Sequence, residues 1–300
     1  MRILVTGISG QVGSATVQRL SSLATVIAAD RAMLDLTKLD AIPGILERTA
    51  PELVINAAAY TAVDPSEDEP ALAQRVNADG PGVMAQWCAN HAVPLIHFST
   101  DYVFDGHGTQ GWSENDTPRP ISAYGASKLA GEEQIRAAGG CCLIVRTSWI
   151  YAARGTNFLR KIAALAKTNN ELRVVADQVG APTSAALIAD ILHTMLETGL
   201  PLFQAKANEA RGLVHLAASG EASWHEFATQ IVQGLRSRGV SLSVERIVPI
   251  RTDDYPLPAQ RPLNSRFNLK RLMDVFEIKP PHWKEALGPE LDQLAESFCD

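Results

Sequence analysis

The glycine-rich segment close to the first residue restricts the fold more than any other feature of the chain. An apolar run, Ile3–Thr6, leads directly into the loop Gly7–Gly13, with sequence GISGQVG, and a helix-compatible segment, Ser14–Leu23, follows. Glycine lacks a Cβ atom, so such a loop turns tightly and brings backbone N–H groups, at the positive end of a helix, close to an anion. Because strand, loop and helix occur in this order, the segment predicts a pyrophosphate-binding βαβ unit rather than a plain turn.

Apolar runs of strand length recur along the first half of the chain. They lie at Ile3–Thr6, Thr25–Ala29, Leu53–Asn56, Pro94–Phe98 and Cys142–Arg146, and Ala/Leu-rich stretches separate most of them. Continuous rather than alternating apolar strands indicate a sheet that helices cover on both faces. The sequence therefore predicts an α/β fold with a doubly wound, mostly parallel Rossmann-type sheet.

Beyond Tyr151 the pattern is less regular. It predicts helices at 157–168, 185–197 and 224–236 and a strand at 172–175, with frequent proline between residues 249 and 262. No Gly/Ser-rich linker separates two independent units. We predict that residues 1–150 form a dinucleotide-binding Rossmann core. Residues 151–300 would form mostly a smaller, mainly helical substrate-binding lobe, interleaved with late elements of the core.

Charge and composition narrow the class of partner. A formal net charge of −6 and the absence of a basic run argue against nucleic-acid binding. There is no apolar run long enough to cross a membrane and no secretory signal at the N-terminus. The four cysteines, Cys88, Cys141, Cys142 and Cys299, lack metal-binding spacing and fit small hydrophobic side chains in a reducing cytoplasm. We expect a cytoplasmic, folded enzyme.

Asp30 and Arg31 bear on the choice of cofactor. Asp30 ends the second predicted strand, 17 residues after Gly13, where a carboxylate accepts hydrogen bonds from the adenosine ribose. Such a carboxylate repels a 2′-phosphate and favours NADH, whereas the adjacent guanidinium could bind that phosphate and favour NADPH. The pair also fits a solvated turn, so the sequence leaves NADPH or NADH open.

The segment Tyr124–Lys128 predicts acid–base chemistry. Its tyrosine and lysine are spaced i, i+4 in a helical stretch, so their side chains share one face. We expect the lysine ammonium to lower the tyrosine pKa from about 10, so that the phenol exchanges a proton near neutrality. Thr100, at the end of the fourth predicted strand, is placed to hydrogen-bond the same carbonyl oxygen. Alone the pair also fits an ordinary amphipathic helix, but with the pyrophosphate loop it predicts a carbonyl–hydride site.

Segments spread over nearly the whole chain resemble the extended short-chain dehydrogenase/reductase family. They are GQVG at 10–13, NAAAYTAVD at 56–64, STDYVFDG at 99–106, YGASKLAGE at 124–132, RTSWIYA at 146–152, NF at 157–158, DQVGAPTSA at 177–185 and RPLNSRFN at 261–268. The third, fifth and seventh of these are characteristic of its dTDP-4-dehydrorhamnose reductase branch. The resemblance implies that NAD(P)H reduces the C4 ketone of dTDP-4-dehydro-β-L-rhamnose to dTDP-β-L-rhamnose, a sugar donor for bacterial surface polysaccharides.

The residues and the resemblance together give three sets of candidate site residues. The catalytic set is Thr100, Tyr124 and Lys128. The cofactor set is Gly7, Gly10, Gln11, Val12, Gly13, Asp30, Arg31, Asp35, Leu36, Ala59, Tyr60 and Thr61, with Tyr124 and Lys128. The substrate set is Thr100, Asp101, Tyr102, Trp149 and Arg261. The indole of Trp149 is expected to pack on an apolar face of the sugar.

One departure from the family concerns metal. Some members dimerise around a magnesium ion held by glutamates on the first helix and on the helix after the Pro-Thr turn. This chain has Ala15 and Ala186 at those places, and Glu197 and Glu290 do not restore the pattern. We therefore predict no catalytic or structural metal, and either a monomer or a homodimer.

Two other functions fit parts of the sequence. An epimerase or dehydratase acting on a sugar nucleotide needs further acid–base residues, and a dehydratase of the family usually has an Asp-Glu pair directly after the threonine, where this chain has Asp101-Tyr102. A non-catalytic regulatory subunit that binds a dinucleotide need not keep Tyr124 and Lys128 together with the sugar-site segments. Both alternatives are therefore less well supported than simple reduction.

Overall fold

A parallel six-stranded sheet forms the centre of the protein. The structure is a computed structural model, and it describes residues 1–298. The strands are β1 (Arg2–Thr6), β2 (Thr25–Ala29), β3 (Leu53–Asn56), β4 (Leu95–Thr100), β5 (Cys142–Thr147), β6 (Ile150–Tyr151), β7 (Glu171–Val175), β8 (Val179–Gly180), β9 (Thr183–Ser184), β10 (Leu213–His215), β11 (Ala222–Ser223) and β12 (Arg246–Ile250). Each of the five predicted apolar runs falls on one of the strands β1 to β5, with the single difference that Pro94 precedes β4.

Helices connect the strands. They are α1 (Gln11–Leu20), α2 (Ala41–Thr49), α3 (Pro65–Asp68), α4 (Pro70–Gln74), α5 (Gly80–Asn90), α6 (Ala123–Ala138), α7 (Phe158–Thr168), α8 (Ala185–Glu197), α9 (Leu200–Glu209), α10 (Trp224–Ser237), α11 (Lys270–Phe276) and α12 (Trp283–Glu296). A π-helical turn at Arg75–Asp79 joins α4 to α5. The predicted helix at 185–197 matches α8, and the one at 157–168 begins one residue later because Asn157 is its N-cap.

The sheet order, β10-β5-β4-β3-β1-β2, places the site. From β1 the chain passes to β2 on one side and then to β3 on the other, so the strand order reverses between β1 and β3. In such sheets, ligands bind outside the carboxyl ends of the strands at this reversal. The loops that follow Thr6 and Asn56, the last residues of β1 and β3, meet there.

Alternate residues of the central strands pack into two separate cores, which confirms the doubly wound fold. In β1, Ile3 and Val5 belong to the core that contains α7, α8 and α10, whereas Leu4 belongs to the core that contains α2 and α5. Successive strand side chains point to opposite faces, and both faces are covered here, so both sets are apolar. The edge strand β2 is the exception, since two of its residues, Thr25 and Ala28, are exposed.

The second half of the chain contributes to the same sheet. β10 pairs with β5, and α8 packs against α1. The remaining strands form three two-stranded pairs, of which β12 with β7 is the longest. The division of the chain near residue 150 into a core and a substrate lobe stays a prediction.

The described part of the chain contains no single helix that is long and apolar enough to cross a membrane. One pair of helices, α8 and α9, meets that test only jointly, and the two helices bend by 110° at the break between them. Cys88 is buried, Cys141 and Cys142 are half-buried at the start of β5, and all three are free thiols. Burial raises the pKa of Cys88 to about 12. Cys299 lies outside the described residues.

Candidate active site

A cavity of about 1070 Å³ runs along the carboxyl edge of the sheet. The glycine loop, the loop after β3, the end of β4 and the start of α6 all line it. Pockets for drug-sized ligands measure roughly 300–1,000 Å³. The volume therefore suits a dinucleotide together with a second ligand.

The glycine loop packs too closely for side chains at two positions. Gly7 has φ +68°, and a Cβ atom there would lie 2.6 Å from the backbone of Ala57 and Ala58. A Cβ on Gly13 would lie 2.3 Å from the Gly7 carbonyl oxygen. Gly10 is the N-cap of α1 and no side chain caps this helix end. The first N–H groups of α1 are therefore free to bind an anion such as a pyrophosphate.

Asp30 and Arg31 point in different directions. The Asp30 carboxylate accepts a hydrogen bond from the Met33 N–H at 2.9 Å, and Asp30 does not line the cavity. Arg31 does line it, with a side chain that is 78% exposed and a long contact of 3.5 Å to Asp35. The Arg31 guanidinium is therefore available to a ligand at this end of the cavity.

The start of α6 presents Tyr124 to the cavity. Ser122 caps the helix by accepting a hydrogen bond from the Gly125 N–H. A Cβ atom on Gly125 would lie 2.1 Å from the Tyr102 carbonyl oxygen, so only glycine lets the helix approach the loop after β4 this closely. The rings of Tyr102 and Tyr124 meet edge to face, with centroids 5.5 Å apart. This contact fixes Tyr124 beside Thr100.

The predicted pKa shift of Tyr124 is wrong in this structure. Burial raises the pKa of Tyr124 to about 12, and only the Thr100 hydroxyl, as a hydrogen-bond partner, opposes the shift. Lys128 Nζ is engaged elsewhere, donating to the Phe98 carbonyl oxygen at 2.6 Å. Burial also lowers the pKa of Lys128 to about 8. Tyr124 is therefore a protonated phenol at neutral pH, which makes it a proton donor.

A buried ion pair lies directly behind Lys128. Glu132, one helical turn further along α6, is fully buried and accepts two hydrogen bonds from Arg146 on β5, at 2.8 and 2.7 Å. Ser99 also donates to Glu132, at 2.6 Å, and Arg136 does so from the helix surface at 2.8 Å. Burial alone would raise the pKa of Glu132, but these partners lower it. The pair joins α6 to the sheet immediately below the site.

Asp101 and Tyr102 follow β4 at the cavity edge. Thr100 Oγ1 donates to Asp101 at 3.1 Å and accepts from the Tyr102 N–H at 3.2 Å. Burial raises the pKa of Asp101 to about 6. A single turn therefore holds the threonine hydroxyl, a buried carboxyl and an aromatic ring beside Tyr124.

Trp149 has an unusual conformation at the cavity wall. Its φ of 50° lies in the left-handed region, which is rare for a bulky residue. Its indole stacks on Trp224, with ring centroids 3.6 Å apart and an angle of 8° between the planes. Trp224 is held in turn by a hydrogen bond from its Nε1 to Gln178. Strained residues of this kind cluster at functional sites.

Most of the predicted site residues line the one cavity. The exceptions are Gly13, Asp30 and Arg261. Gly13 packs behind the loop, and Arg261 pairs with Asp64 at 2.8 Å while its guanidinium lies 5.9 Å from the Tyr102 ring centroid. Arg261 therefore contacts the site through Tyr102 rather than through the cavity.

The sequence analysis missed two hydroxyls and an aromatic residue. Thr147 and Ser148 line the cavity, and their hydroxyl oxygens are buried without a hydrogen-bond partner among the described residues. Thr147 is the last residue of β5 and Ser148 follows it, and this position at the edge that carries Thr100 was the available signal. Trp224 lies far along the chain and gave no such signal.

Three of the four positions considered for a metal line the cavity, and Glu197 does not. Ala15, Ala186 and Glu290 all line it, and Glu290 is the only carboxylate of the three. Glu290 accepts a hydrogen bond from the Ala153 N–H at 2.6 Å, and burial raises its pKa. Within residues 1–298 no cluster of three or more His, Cys, Asp or Glu residues has metal-binding geometry.

Fold and site together define a Rossmann-type protein with the Thr, Tyr and Lys arrangement of the short-chain dehydrogenases/reductases. The family described as the RmlD substrate binding domain matches residues 1–296, and the chain belongs to it.

Several proteins of known name are similar over nearly their whole length. The dTDP-4-dehydrorhamnose reductase of Burkholderia thailandensis is 43% identical over 290 residues, which cover 96% of this chain and 97% of that protein. The Escherichia coli K12 protein of the same name is 36% identical, with 98% of each chain covered. A crystal structure of the Bacillus anthracis protein of that name, in complex with NADP, has a TM-score of 0.87 at 32% identity and covers 97% of this chain and 99% of that one.

Proposed function

We propose that this protein is a reductase that uses NAD(P)H to convert the C4 ketone of dTDP-4-dehydro-β-L-rhamnose into the alcohol of dTDP-β-L-rhamnose. The observation that carries the proposal is that Thr100, Tyr124 and Lys128 line the same cavity as the uncapped N-terminus of α1. The names of the similar proteins support this substrate. The reaction would supply a nucleotide-activated sugar for polysaccharide synthesis in the cytoplasm.

The residues present fit a nicotinamide dinucleotide. The crowded glycines at 7 and 13 leave the α1 N–H groups open to the pyrophosphate. Arg31, Asp35 and Leu36 would hold the adenosine end, and Lys128 would hold the nicotinamide ribose. The remaining contacts would come from Gly10, Gln11, Val12, Ala59, Tyr60 and Thr61. When bound, the reduced nicotinamide supplies the hydride.

Tyr124 would provide the proton. With a pKa near 12 it stays protonated at neutral pH, so it can donate to the ketone oxygen as negative charge develops there. Thr100 would hydrogen-bond the same oxygen and hold it against the phenol. The ammonium form of Lys128 would stabilise the phenolate that remains. The chain thereby supplies orientation and one acid.

The sugar would bind between the end of β4 and the Trp149 indole. Asp101 and Tyr102 would contact its hydroxyl groups, and the indole would cover an apolar face of the ring. Arg261 would act indirectly by holding Tyr102. The buried hydroxyls of Thr147 and Ser148, which have no partner within residues 1–298, are suited to the nicotinamide amide or the sugar.

We extend the proposal to assembly and metal content. With alanine at 15 and 186, Glu290 is the only one of the positions considered for a metal that places a carboxylate in the cavity wall, and this carboxylate already accepts a backbone hydrogen bond. One such group does not make a magnesium site. The protein would therefore act without metal, as a monomer or a homodimer.

A coupled assay tests the reaction. Purified protein should oxidise NADH or NADPH only when the keto-sugar nucleotide is supplied, which upstream enzymes can generate from dTDP-glucose. Tyr124→Phe should lower kcat by about 10²- to 10⁴-fold while cofactor binding is retained. Tyr255→Phe, at a tyrosine that is 50% exposed, is the matched control and should leave turnover unchanged. No oxidation with either cofactor would contradict the proposal.

A further inference from the structure

A line of buried polar side chains crosses the sheet and ends at Lys128. Thr6, Asn56 and His97 are register neighbours on β1, β3 and β4. Thr6 Oγ1 donates to Asn56 Oδ1 at 2.6 Å, Asn56 Nδ2 lies 2.9 Å from His97 Nδ1, and His97 Nε2 lies 3.2 Å from Lys128 Nζ. All four residues are buried. The reaction proposed above assigns no role to the first three.

The backbone sets the direction of this line. The Ala58 N–H, which can only donate, lies 3.2 Å from Asn56 Oδ1 and 3.3 Å from Thr6 Oγ1. The amide oxygen of Asn56 must therefore face Ala58, and its NH₂ group must face His97. His97 Nδ1 can then only accept, so the neutral ring carries its proton on Nε2. That N–H faces the Lys128 amine.

The amine of Lys128 responds to this N–H. An ammonium has donors only, so it can donate to the Phe98 carbonyl oxygen but offers nothing to the His97 N–H. An uncharged amine accepts that hydrogen bond with its lone pair and still donates to Phe98. Glu132, on the helix of Lys128 itself, favours the ammonium, but Arg146 already neutralises this carboxylate. Tyr124, one turn earlier on the same helix, is a neutral phenol, and the Asp101 carboxylate acts on Tyr124 but is not among the groups that shift the pKa of Lys128.

We propose that His97 is a positioning residue for Lys128. The Nε2–H of His97, oriented by Asn56 and Thr6, favours the uncharged form of the Lys128 amine. His97 thereby sets the pH above which Lys128 no longer supports proton donation by Tyr124. The kinetic consequence rests on the proposed reductase function, whereas the tautomer of His97 does not. Burial already lowers the pKa of Lys128 to about 8, which places this transition within the range of an ordinary pH profile.

NMR of protein labelled with ¹⁵N-histidine tests the tautomer without substrate. His215 is the matched control, because it is equally buried but its Nδ1 lies 3.0 Å from the Trp112 carbonyl oxygen and must donate. We expect His97 to show the Nε2–H tautomer and His215 the Nδ1–H tautomer, with neither titrating near neutral pH. Variants lacking one histidine at a time assign the signals. An Nδ1–H or doubly protonated His97 would overturn the proposal.

Kinetics test the effect on Lys128. Both variants remove the His97 N–H that faces Lys128. In His97→Gln, an amide oxygen can accept a hydrogen bond from the Lys128 ammonium. In His97→Asn, the side chain still accepts from Asn56 but no longer reaches Lys128. In both variants, the alkaline limb of the pH profile of kcat/KM should move to higher pH by about one unit or more, which corresponds to a tenfold rise in the proton affinity of Lys128. His215→Gln should leave the limb in place.

Two further measurements separate the possible failures. The pH dependence of NADPH binding, followed by nucleotide fluorescence, should show the same upward displacement in the His97 variants, whether or not the keto-sugar is reduced. Thermal unfolding identifies a variant that does not fold, in which case the other His97 variant carries the test. If the His97 variants fold and the alkaline limbs of both pH profiles, for NADPH binding and for kcat/KM, stay where they are in the wild type, the proposal is overturned. If the protein does not reduce the keto-sugar but the pH profile of NADPH binding is displaced in the His97 variants, only the reductase function is contradicted.

Discussion

Replacing Glu132 by glutamine should show that the ion pair behind Lys128 is a main support of the fold. The change keeps the shape of the side chain but removes its charge, and it leaves the Arg146 guanidinium, which is 1% exposed, without a counter-ion. Breaking a buried pair in this way costs about 3–5 kcal/mol. We therefore expect the free energy of unfolding, measured by urea denaturation at pH 7.5, to fall by about that amount.

Arg136 provides an internal comparison, because it contacts the same carboxylate from a side chain that is 39% exposed. Arg136→Gln should cost less, about 0.3–0.5 kcal/mol, because the arginine end of this i, i+4 pair is solvated and Arg146 still neutralises Glu132. A second test is the double variant Glu132→Gln with Arg146→Met, which should be less destabilised than the sum of its single changes. Equal losses for the Glu132 and Arg136 variants, or a Glu132→Gln loss below about 1 kcal/mol, would refute the reasoning.

The same carboxylate predicts how stability depends on pH. The folded-state pKa of Glu132 lies below its ordinary value of 4.5, so its contribution is complete above that value and is lost as the pH falls through the lower folded-state pKa. The wild type should therefore lose more stability on acidification than Glu132→Gln does.

Two more substitutions test other parts of the cavity. Arg31→Ser should raise the KM for NADPH by about 10- to 100-fold, because a charge-assisted hydrogen bond to the 2′-phosphate is lost, and should leave the KM for NADH unchanged. Equal effects on both KM values in steady-state assays would exclude Arg31 as the ligand of the 2′-phosphate. Gly125→Ala should lower kcat/KM by about tenfold or more, because the added Cβ would lie 2.1 Å from the Tyr102 carbonyl oxygen and must displace Tyr124 or Tyr102. Wild-type kcat/KM in a folded Gly125→Ala protein would argue against this close packing.

The sequence was sufficient where local pattern determines structure. The buried strands at the centre of the sheet are continuous apolar runs, and both of their faces pack against helices, so the runs at 53–56 and 142–146 could be recognised without any knowledge of their neighbours. The glycine loop was equally clear from its own sequence, although only the crowding of Gly13 against Gly7 is local and Gly7 packs against Ala57 and Ala58 after β3. β10 was missed because its three residues become a strand only by pairing with β5.

Properties that depend on distant contacts could not be predicted. The pKa of Tyr124 rises because the surrounding protein buries it, and the motif alone suggested the opposite. The stacking of Trp149 on Trp224 joins residues far apart in the chain, so no spacing rule reveals it.

The lining of the cavity has a consequence for how the protein acquires its site during synthesis. The wall begins at Gly7 and is completed by Glu290 and Gln293 on α12. The chain leaves the ribosome N-terminus first, so the segments that form the glycine loop and its neighbours are synthesised well before α12. A nascent chain that lacks α12 would therefore present a dinucleotide cleft that is open on one side, and capture of the cofactor with full affinity would be one of the last events in its maturation.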